Sequence, residues 1–283
     1  MRKIFILLIV IFISIYSIKA QNMVTSSFNE NWLNSIVSIE KKIGSKYFPI
    51  GTGFLFTTKS NHVVIVTAKH VVLNKKEPVG KIGFRINLKN GKSKIISENK
   101  YPEYMGTRWI YSSPSDIACH FFAWDSSADL SIIPYDKILE SKNLNIGASV
   151  FIPGFPMGLR SPEHYDPIVR SGTVALIKNN QIIVDAFVFP GNSGSPVLYV
   201  PLIKVDNVTL HSSFLNEERL IGLVSSYIPY NDVAYSKQTN RPRVVFEENS
   251  GLCEVIPVEE IINLLNSSEL LKEEKKIKST SNK

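Results

Sequence analysis

Short runs of β-branched and aromatic residues, separated by turn-forming residues, dominate the chain after Asn31. Gly, Asn, Ser and Pro bound these runs. Asn90-Gly91 and Asn179-Asn180 each lie between two runs, which indicates hairpins because these residues tolerate positive φ. The clearest runs are residues 35–41, 47–57, 62–67, 83–88, 94–96, 149–152, 172–178, 181–188 and 220–226. Many short strands with turns between them favour an all-β sandwich or barrel over alternating strands and helices.

A convincing helical pattern occurs only near the end of the chain. An apolar stripe follows Pro257, Glu259 and Glu260, and it consists of Ile261, Ile262, Leu264, Leu265 and Leu270. We therefore predict a C-terminal helix over residues 258–271 and a charged, flexible tail over 272–283. A divide near residues 142–147 separates two halves, 30–142 and 143–257, each a plausible small barrel.

The first twenty residues have the pattern of a targeting segment. Arg2 and Lys3 precede an apolar run over residues 4–18, and Ala20 precedes a polar stretch. The segment predicts an exported protein, periplasmic or secreted, with a signal peptide cleaved after Ala20. Ile18 is a poor residue three places before that cut, so a retained membrane anchor stays open as the alternative.

The net charge of +7 is concentrated at the two ends of the chain. Residues 1–20 carry three basic residues and no acid, and residues 272–283 carry five Lys and two Glu, so the body between them is near neutral. Such a body does not predict nucleic-acid binding. No HExxH, CxxC or phosphate-binding pattern occurs, so we expect neither a metal nor another cofactor.

Cys119 and Cys253 are the two cysteines of the chain. In an oxidising compartment they could form one disulfide, but nothing in their spacing requires it. Both lie in apolar, strand-like segments, where a free thiol is often a small buried hydrophobe.

Three polar residues stand in segments suited to hydrolytic chemistry. His70 ends the strand-like Val64-Ile65-Val66-Thr67-Ala68-Lys69, Asp116 leads into an apolar run, and Ser193 lies in the turn Pro190-Gly191-Asn192-Ser193-Gly194-Ser195-Pro196. A serine hydroxyl is a weak nucleophile unless a neutral imidazole accepts its proton. A carboxylate on the other imidazole nitrogen fixes the tautomer. A Gly-rich turn can expose backbone N–H groups to an oxyanion.

In the order His, Asp, Ser and in local sequence, the chain resembles chymotrypsin-like serine proteases, specifically the bacterial trypsin-like group that includes the HtrA/Deg proteases. The matching segments are Gly51-Thr52-Gly53-Phe54, Thr67-Ala68-Lys69-His70, Asp116-Ile117-Ala118, Ser171-Gly172-Thr173-Val174, Asp185-Ala186 ahead of Pro190-Gly191-Asn192-Ser193-Gly194, Leu220-Ile221-Gly222-Leu223-Val224-Ser225, and Asn249-Ser250-Gly251-Leu252 followed by Val255-Ile256-Pro257. They cover roughly residues 32–268. The resemblance implies an all-β fold of two six-stranded antiparallel β-barrels with the site in the cleft between them. We expect no PDZ domain of the HtrA type, because the chain ends soon after the helix.

The resemblance also implies a serine endopeptidase that cleaves polypeptides through an acyl-enzyme intermediate without a cofactor. Ser193 would be the nucleophile, His70 the general base and then acid, and Asp116 the orienting acid. The backbone N–H groups of Gly191 and Ser193 would form the oxyanion hole. The oligomeric state is left open.

Several substrate-binding positions follow from the same resemblance. Ser225 matches a serine that commonly hydrogen-bonds the acid, and Ser226 and Tyr227 would lie beside the bound peptide. Phe187, followed by Val188, falls where the floor of the specificity pocket lies. An apolar floor predicts uncharged, aliphatic or small substrate side chains, whereas the alternative is that Phe187 is ordinary barrel core.

Some assignments have competitors. Asp129 also leads into an apolar run, and Asp116 is preferred as the closer match to the family. The local pattern Thr-Ala-x-His selects His70 over the other histidines, which are His62, His120, His164 and His211. A catalytically silent fold used for binding, and an esterase with the same site, are the alternative functions.

Overall fold

The computed structural model describes residues 28–106, 108–160, 165–178, 181–201, 203–205, 210–212 and 217–277. The predicted signal segment, residues 1–20, and the last six residues of the predicted tail lie outside the described residues. Within these ranges, no helix is long and apolar enough to cross a bilayer.

The N-terminal half is built on an antiparallel sheet. Its strands are β1 (Ile36–Ile43), β2 (Lys46–Thr57), β3 (Val63–Ala68), β6 (Ile82–Asn87), β7 (Ser93–Ser97), β8 (Ile110–Tyr111) and β9 (Ile117–Phe121), and a separate hairpin consists of β4 (Leu73–Asn74) and β5 (Glu77–Pro78). The sheet order is β7-β6-β1-β2-β3-β9-β8. We predicted a six-stranded barrel here. The sheet instead has seven strands, because the short strand β8 pairs with β9, and within the described residues its edge strands β7 and β8 do not pair to close it. Every residue of β3 is buried, as expected for its β-branched sequence.

The C-terminal half is a closed six-stranded antiparallel barrel, in agreement with the prediction. Its strands are β10 (Ser149–Gly154), β11 (Ile168–Lys178), β12 (Gln181–Asp185), β13 (Pro196–Tyr199), β16 (Arg219–Tyr235) and β17 (Pro242–Pro257), and a separate hairpin consists of β14 (Ile203–Val205) and β15 (Leu210–Ser212). The order around the barrel is β10-β11-β12-β17-β16-β13. The all-β class of the sequence prediction is therefore confirmed.

The chain has two apolar cores, one centred on the N-terminal sheet and extended by barrel and C-terminal helix residues, the other inside the barrel, and the two cysteines belong to different ones. Cys119 is buried in the N-terminal core and Cys253 in the barrel core. Both are free thiols. Burial raises the pKa of the Cys253 thiol to about 12, so it stays protonated at neutral pH. The thiols therefore act as small buried hydrophobes, one of the two alternatives that the sequence left open.

Short helical segments connect the strands. The α-helical ones are α1 (Lys69–Val72) and α2 (Pro102–Met105), and the 3₁₀ segments are Glu30–Ser35, Ser141–Asn143 and Pro156–Gly158. Helix α1 follows β3 directly and carries His70. The 3₁₀ segment Pro156–Gly158 follows β10 and, through Met157, contacts the turn that carries Ser193.

The C-terminal segment differs from the prediction of one helix followed by a flexible tail. Two helices occur, α3 (Val258–Leu265) and α4 (Ser268–Glu274), because the Ser267 hydroxyl caps the second one by accepting from the Leu270 N–H. The tail predicted to begin at residue 272 is packed as far as Ile277. Glu274 is buried and accepts hydrogen bonds from Thr58 at 2.5 Å and from His62 at 3.1 Å. Sequence periodicity could not reveal these distant partners.

We expect Glu274→Ala to destabilise the fold by about 1–3 kcal/mol, because it leaves the buried Thr58 hydroxyl and His62 ring without their acceptor. Denaturant unfolding would measure the difference. Lys275→Ala is the matched control, since Lys275 is exposed on the neighbouring position and should change stability by less than about 0.5 kcal/mol. Equal unfolding midpoints for the two variants would show that the Glu274 contacts do not stabilise the terminal helices.

Candidate active site

The pairing of β3 with β9 brings His70 and Asp116 together. Ala68 at the end of β3 is opposite Ile117 at the start of β9. Asp116, just before Ile117, and His70, two residues after Ala68, therefore meet at one edge of the sheet. The His70 backbone N–H donates to Asp116 Oδ1 at 2.9 Å. The imidazole Nδ1 lies 2.6 Å from Asp116 Oδ2. Two contacts from one carboxylate therefore fix both the position and the orientation of the imidazole.

The environment of Asp116 favours its charged form. Burial by itself would raise the pKa of this carboxyl, but the hydrogen bonds from His70 and the Ser225 hydroxyl outweigh it and leave the pKa below the ordinary value. Ser225 Oγ donates to Oδ2 at 3.1 Å. A carboxylate held in this way keeps a proton on imidazole Nδ1 and leaves Nε2 free to accept one.

Ser193 lies in the tight turn that leads into β13. Its hydroxyl donates to the carbonyl of Ser225 at 3.3 Å, so Ser225 contacts both the carboxylate of Asp116 and the serine hydroxyl. Among the described hydrogen bonds, none joins Ser193 Oγ to the His70 ring. Catalytic hydrogen bonds are often loose without a substrate and tighten in the complex.

The same turn leaves two backbone donors uncommitted. The N–H groups of Asn192, Gly194 and Ser195 donate to the carbonyls of Phe189, Val224 and Asn192, respectively, at 2.8–2.9 Å. Within the described part of the chain, the N–H groups of Gly191 and Ser193 donate to no acceptor. Gly191 adopts a φ of 101°, which few other residues tolerate. Two free donors beside a serine hydroxyl can bind a developing oxyanion.

Thr52 of the N-terminal sheet supports this turn across the interface between the halves. Its hydroxyl donates to the carbonyl of Gly191 at 2.6 Å, and its N–H donates to the carbonyl of Ser193 at 3.0 Å. The same hydroxyl accepts from the Phe155 N–H at 3.0 Å. Gly194 packs so tightly here that a Cβ would lie 2.2 Å from the Thr52 carbonyl oxygen. The conformation of the turn is therefore imposed by the opposite half of the molecule.

A cleft of about 480 Å³ opens over these groups. The residues that line it are His70, Asp116, Val188, Phe189, Pro190, Ser193, Val224, Ser225, Ser226 and Tyr227. The sequence reasoning missed Phe189, Pro190 and Val224, although each is a direct neighbour of a residue that it named. The hydroxyl of Tyr227, one of these lining residues, donates to the Glu247 carboxylate.

Phe187 does not line this cleft, contrary to the prediction of a pocket floor. The alternative, a core residue, is also wrong, since Phe187 is 55% exposed. Ala186 and Val188 on either side of it are buried, whereas the Phe187 side chain is directed away from the barrel core. The Phe187 ring instead lies over Gly251, where an added Cβ would come within 3.3 Å of it.

The competing histidines have other surroundings. His120 is buried among the Trp109 and Phe84 rings, and burial lowers the pKa of its imidazole to about 4, so it is neutral. His62 contacts Glu274. His164 lies outside the described residues, and the side chain of His211 is not described.

The competing acid is also placed elsewhere. The Asp129 N–H donates to the carbonyl of Asn87, the last residue of β6. Of the two candidate acids, Asp116 is the one in contact with the His70 ring.

Comparison with known proteins gives a family match over the site. The model of the trypsin-like peptidase domain matches residues 51–200. A solved structure of an HtrA-type protease, an AlgW variant with a tripeptide, is similar at 17% identity with a TM-score of 0.45. The similarity covers 84% of this chain and 62% of that one, so the chain spans less than two thirds of its length. No curated protein gave a significant match.

Proposed function

The chain belongs to the trypsin-like peptidase family, and on that premise we propose that it is a serine endopeptidase that acts through Ser193, His70 and Asp116. One observation carries the proposal, namely the network that links the three residues. His70 Nδ1 contacts Asp116 at 2.6 Å, and Ser225 bonds both Asp116 and the Ser193 hydroxyl. The two free N–H groups of the Ser193 turn complete the set of groups that acyl transfer needs.

In the proposed reaction, Ser193 Oγ attacks the carbonyl carbon of the scissile peptide bond while His70 Nε2 takes the hydroxyl proton. The carbonyl oxygen becomes an oxyanion and accepts hydrogen bonds from the Gly191 and Ser193 N–H groups. His70 then gives the proton to the leaving amine as the C–N bond breaks and an acyl-enzyme remains. A water molecule, deprotonated by His70, then attacks the ester carbonyl. The C–O bond to Ser193 Oγ breaks, His70 returns the proton to that oxygen, and the carboxylic acid product leaves. Asp116 stays ionised and stabilises the imidazolium in both steps.

The lining of the cleft indicates the class of substrate. Val188, Phe189 and Val224 supply apolar surface, and Asp116, already bonded to His70 and Ser225, is the one charged carboxylate among the lining residues. We therefore propose that the residue before the scissile bond is uncharged. An arginine or lysine there would lack the buried carboxylate that binds it in trypsin-type pockets. The proposed enzyme acts on polypeptides after export, with residues 1–20 as the leader.

A fluorophosphonate probe tests the proposed function directly, because it reacts with serine only where the hydroxyl is activated by a base. We expect the wild-type protein to be labelled and Ser193→Ala to remain unlabelled. Peptide substrates are added before the probe, so that a resting site can adopt its active conformation. A wild-type protein that the probe still does not label would support the catalytically silent alternative. Ester turnover without cleavage in any peptide library would support the esterase alternative.

Thr52→Val is expected to lower kcat by about 10- to 100-fold with little change in KM, because the lost hydroxyl no longer holds the Gly191 carbonyl and the oxyanion donors move. Thr52→Ser is the matched control, since it retains the hydroxyl and should keep most of the activity. Steady-state kinetics on one peptide would measure both. Equal kcat for the wild type and the valine variant would mean that the turn keeps its conformation without Thr52.

A further inference from the structure

Strands β16 and β17 continue past the barrel as a projecting hairpin. We call residues 228–235 of β16 and 242–250 of β17 the ribbon. Its strands pair from Pro229 with Asn249 to Tyr235 with Pro242. Every residue from 241 to 248 is exposed, so no other described part of the chain covers this strand.

One edge of the ribbon is continuous with the cleft. Strand β13 pairs with β16 only as far as Leu223, and Val224 bonds the turn residues Gly194 and Ser195. From Ser225 to Tyr235, that edge of β16 has no strand partner within the described part of the chain. The first residues of this edge line the cleft beside Ser193. A strand edge with unpaired N–H and C=O groups is a template for another extended segment.

The ribbon also exposes more apolar surface than a solvated hairpin needs. Tyr230 is 59% exposed, Phe246 53% and Val244 48%. Asp232 pairs with Phe246, Ala234 with Val244 and Tyr230 with Glu248, so these three apolar side chains share one face. A two-stranded hairpin alone is marginally stable, and a third strand at the open edge of β16 would complete its hydrogen bonding, extend the apolar face and pack side chains against Tyr230.

We propose that the ribbon is an extended substrate-binding edge that pairs with an apolar-rich polypeptide segment N-terminal to the scissile bond. This inference rests on the proposed function. Strand β16 runs away from Ser193, so a segment added antiparallel to it runs toward Ser193 and its paired residues precede the cleaved bond. The open edge from Ser225 to Tyr235 contains a register shift between Tyr227 and Pro229 and is at most about 35 Å long at about 3.3 Å per residue, so up to roughly eight substrate residues would lie along the ribbon itself. The preferred substrate is then an extended segment with apolar side chains at alternate positions, as unfolded polypeptides expose.

The length of a peptide substrate tests this edge. A short peptide ends within the cleft, and a long one carries the same cleavage sequence with about eight additional residues on its N-terminal side. We expect kcat/KM to be about 10-fold higher for the long peptide, chiefly through a lower KM. N-methylation of alternate backbone amides in the added segment should remove the gain, because the edge then loses its hydrogen bonds. Equal kcat/KM for both lengths would overturn the proposal.

A variant of the protein with a shortened ribbon tests the same edge. Residues 230–248 are excised and Pro229 is joined to Asn249, its partner in the hairpin, by Asn-Gly, which favours a two-residue hairpin turn. The ratio of kcat/KM between long and short peptides should fall to about 1, while thermal unfolding and probe labelling report whether the barrel and Ser193 remain intact. If the shortened chain does not fold, Tyr230→Ser with Phe246→Ser is the substitute variant and should lower the ratio in the same direction.

Two further outcomes separate this inference from its alternatives. In the first, the excised variant still prefers the long peptide, while light scattering shows that the excision converts a dimer into a monomer. That result would assign the ribbon to self-association and overturn the proposal. Failure of the proposed function would appear as no cleavage of either peptide by the wild type. In that case, the fluorescence anisotropy of a labelled long peptide measures its binding to Ser193→Ala with and without the excision. Binding that the excision abolishes supports the proposed edge, and unchanged binding refutes it.

Discussion

Ser193→Ala is expected to lower kcat for peptide hydrolysis by about 10⁶-fold, the loss typical when the nucleophile of a serine protease is removed. Without the hydroxyl no acyl-enzyme forms, and the remaining donors can only orient a peptide for attack by water. Peptide binding should persist, since the substitution removes one oxygen from a cleft that keeps its lining. Cleavage of a quenched fluorescent peptide, with active-site titration to exclude contaminating protease, would measure the loss.

Ser195→Ala is the matched control for this prediction. Ser195 lies two residues away in the same turn, is buried, and has no hydrogen-bond partner for its hydroxyl in the described structure. Loss of that hydroxyl should leave kcat within about threefold of the wild type. If both alanine variants lost activity equally, the effect would come from the turn conformation and not from the Ser193 hydroxyl.

The barrel strands and the site could be predicted because their signals are local. The first five residues of strand β3 are β-branched. His70 follows this strand, Asp116 directly precedes the apolar strand β9, and Ser193 stands in a Gly-rich turn. The order of His70, Asp116 and Ser193 limits the fold more strongly than any single motif. The structure brings these three residues together, and the Ser193→Ala and Asp116→Asn substitutions test the catalytic roles proposed for them.

Features that depend on distant partners could not be predicted. The packed end of the chain depends on Glu274 meeting Thr58 and His62, more than two hundred residues earlier. The outward direction of Phe187 depends on the backbone conformation of the irregular segment after β12. The ribbon gave no period-two signal, because neither of its faces is buried and apolar residues such as Val244 and Val245 lie on both.

Asp116→Asn is expected to lower kcat at neutral pH by about 10⁴-fold while the fold is retained. The asparagine amide would donate toward His70 Nδ1, which lies 2.6 Å from the carboxylate in the wild type. The imidazole would then carry its proton on Nε2 and could not accept the Ser193 proton. Asp129→Asn is the matched control and should leave kcat within a few fold, because Asp129 does not contact the His70 ring. The reverse ranking would make Asp129 the orienting acid.

The same substitution should change how stability depends on pH. Hydrogen bonds from His70 and Ser225 outweigh burial and hold the pKa of Asp116 below its ordinary value in the folded protein. An acid with a lowered folded-state pKa stabilises the fold above its unfolded pKa, about 4, and this contribution disappears as pH falls through the folded value. The free energy of unfolding of the wild type should therefore exceed that of Asp116→Asn at pH 7, and the difference should shrink below about pH 4. Urea unfolding of both proteins across this range measures it, and a difference independent of pH would show that the network does not depend on the charge of Asp116.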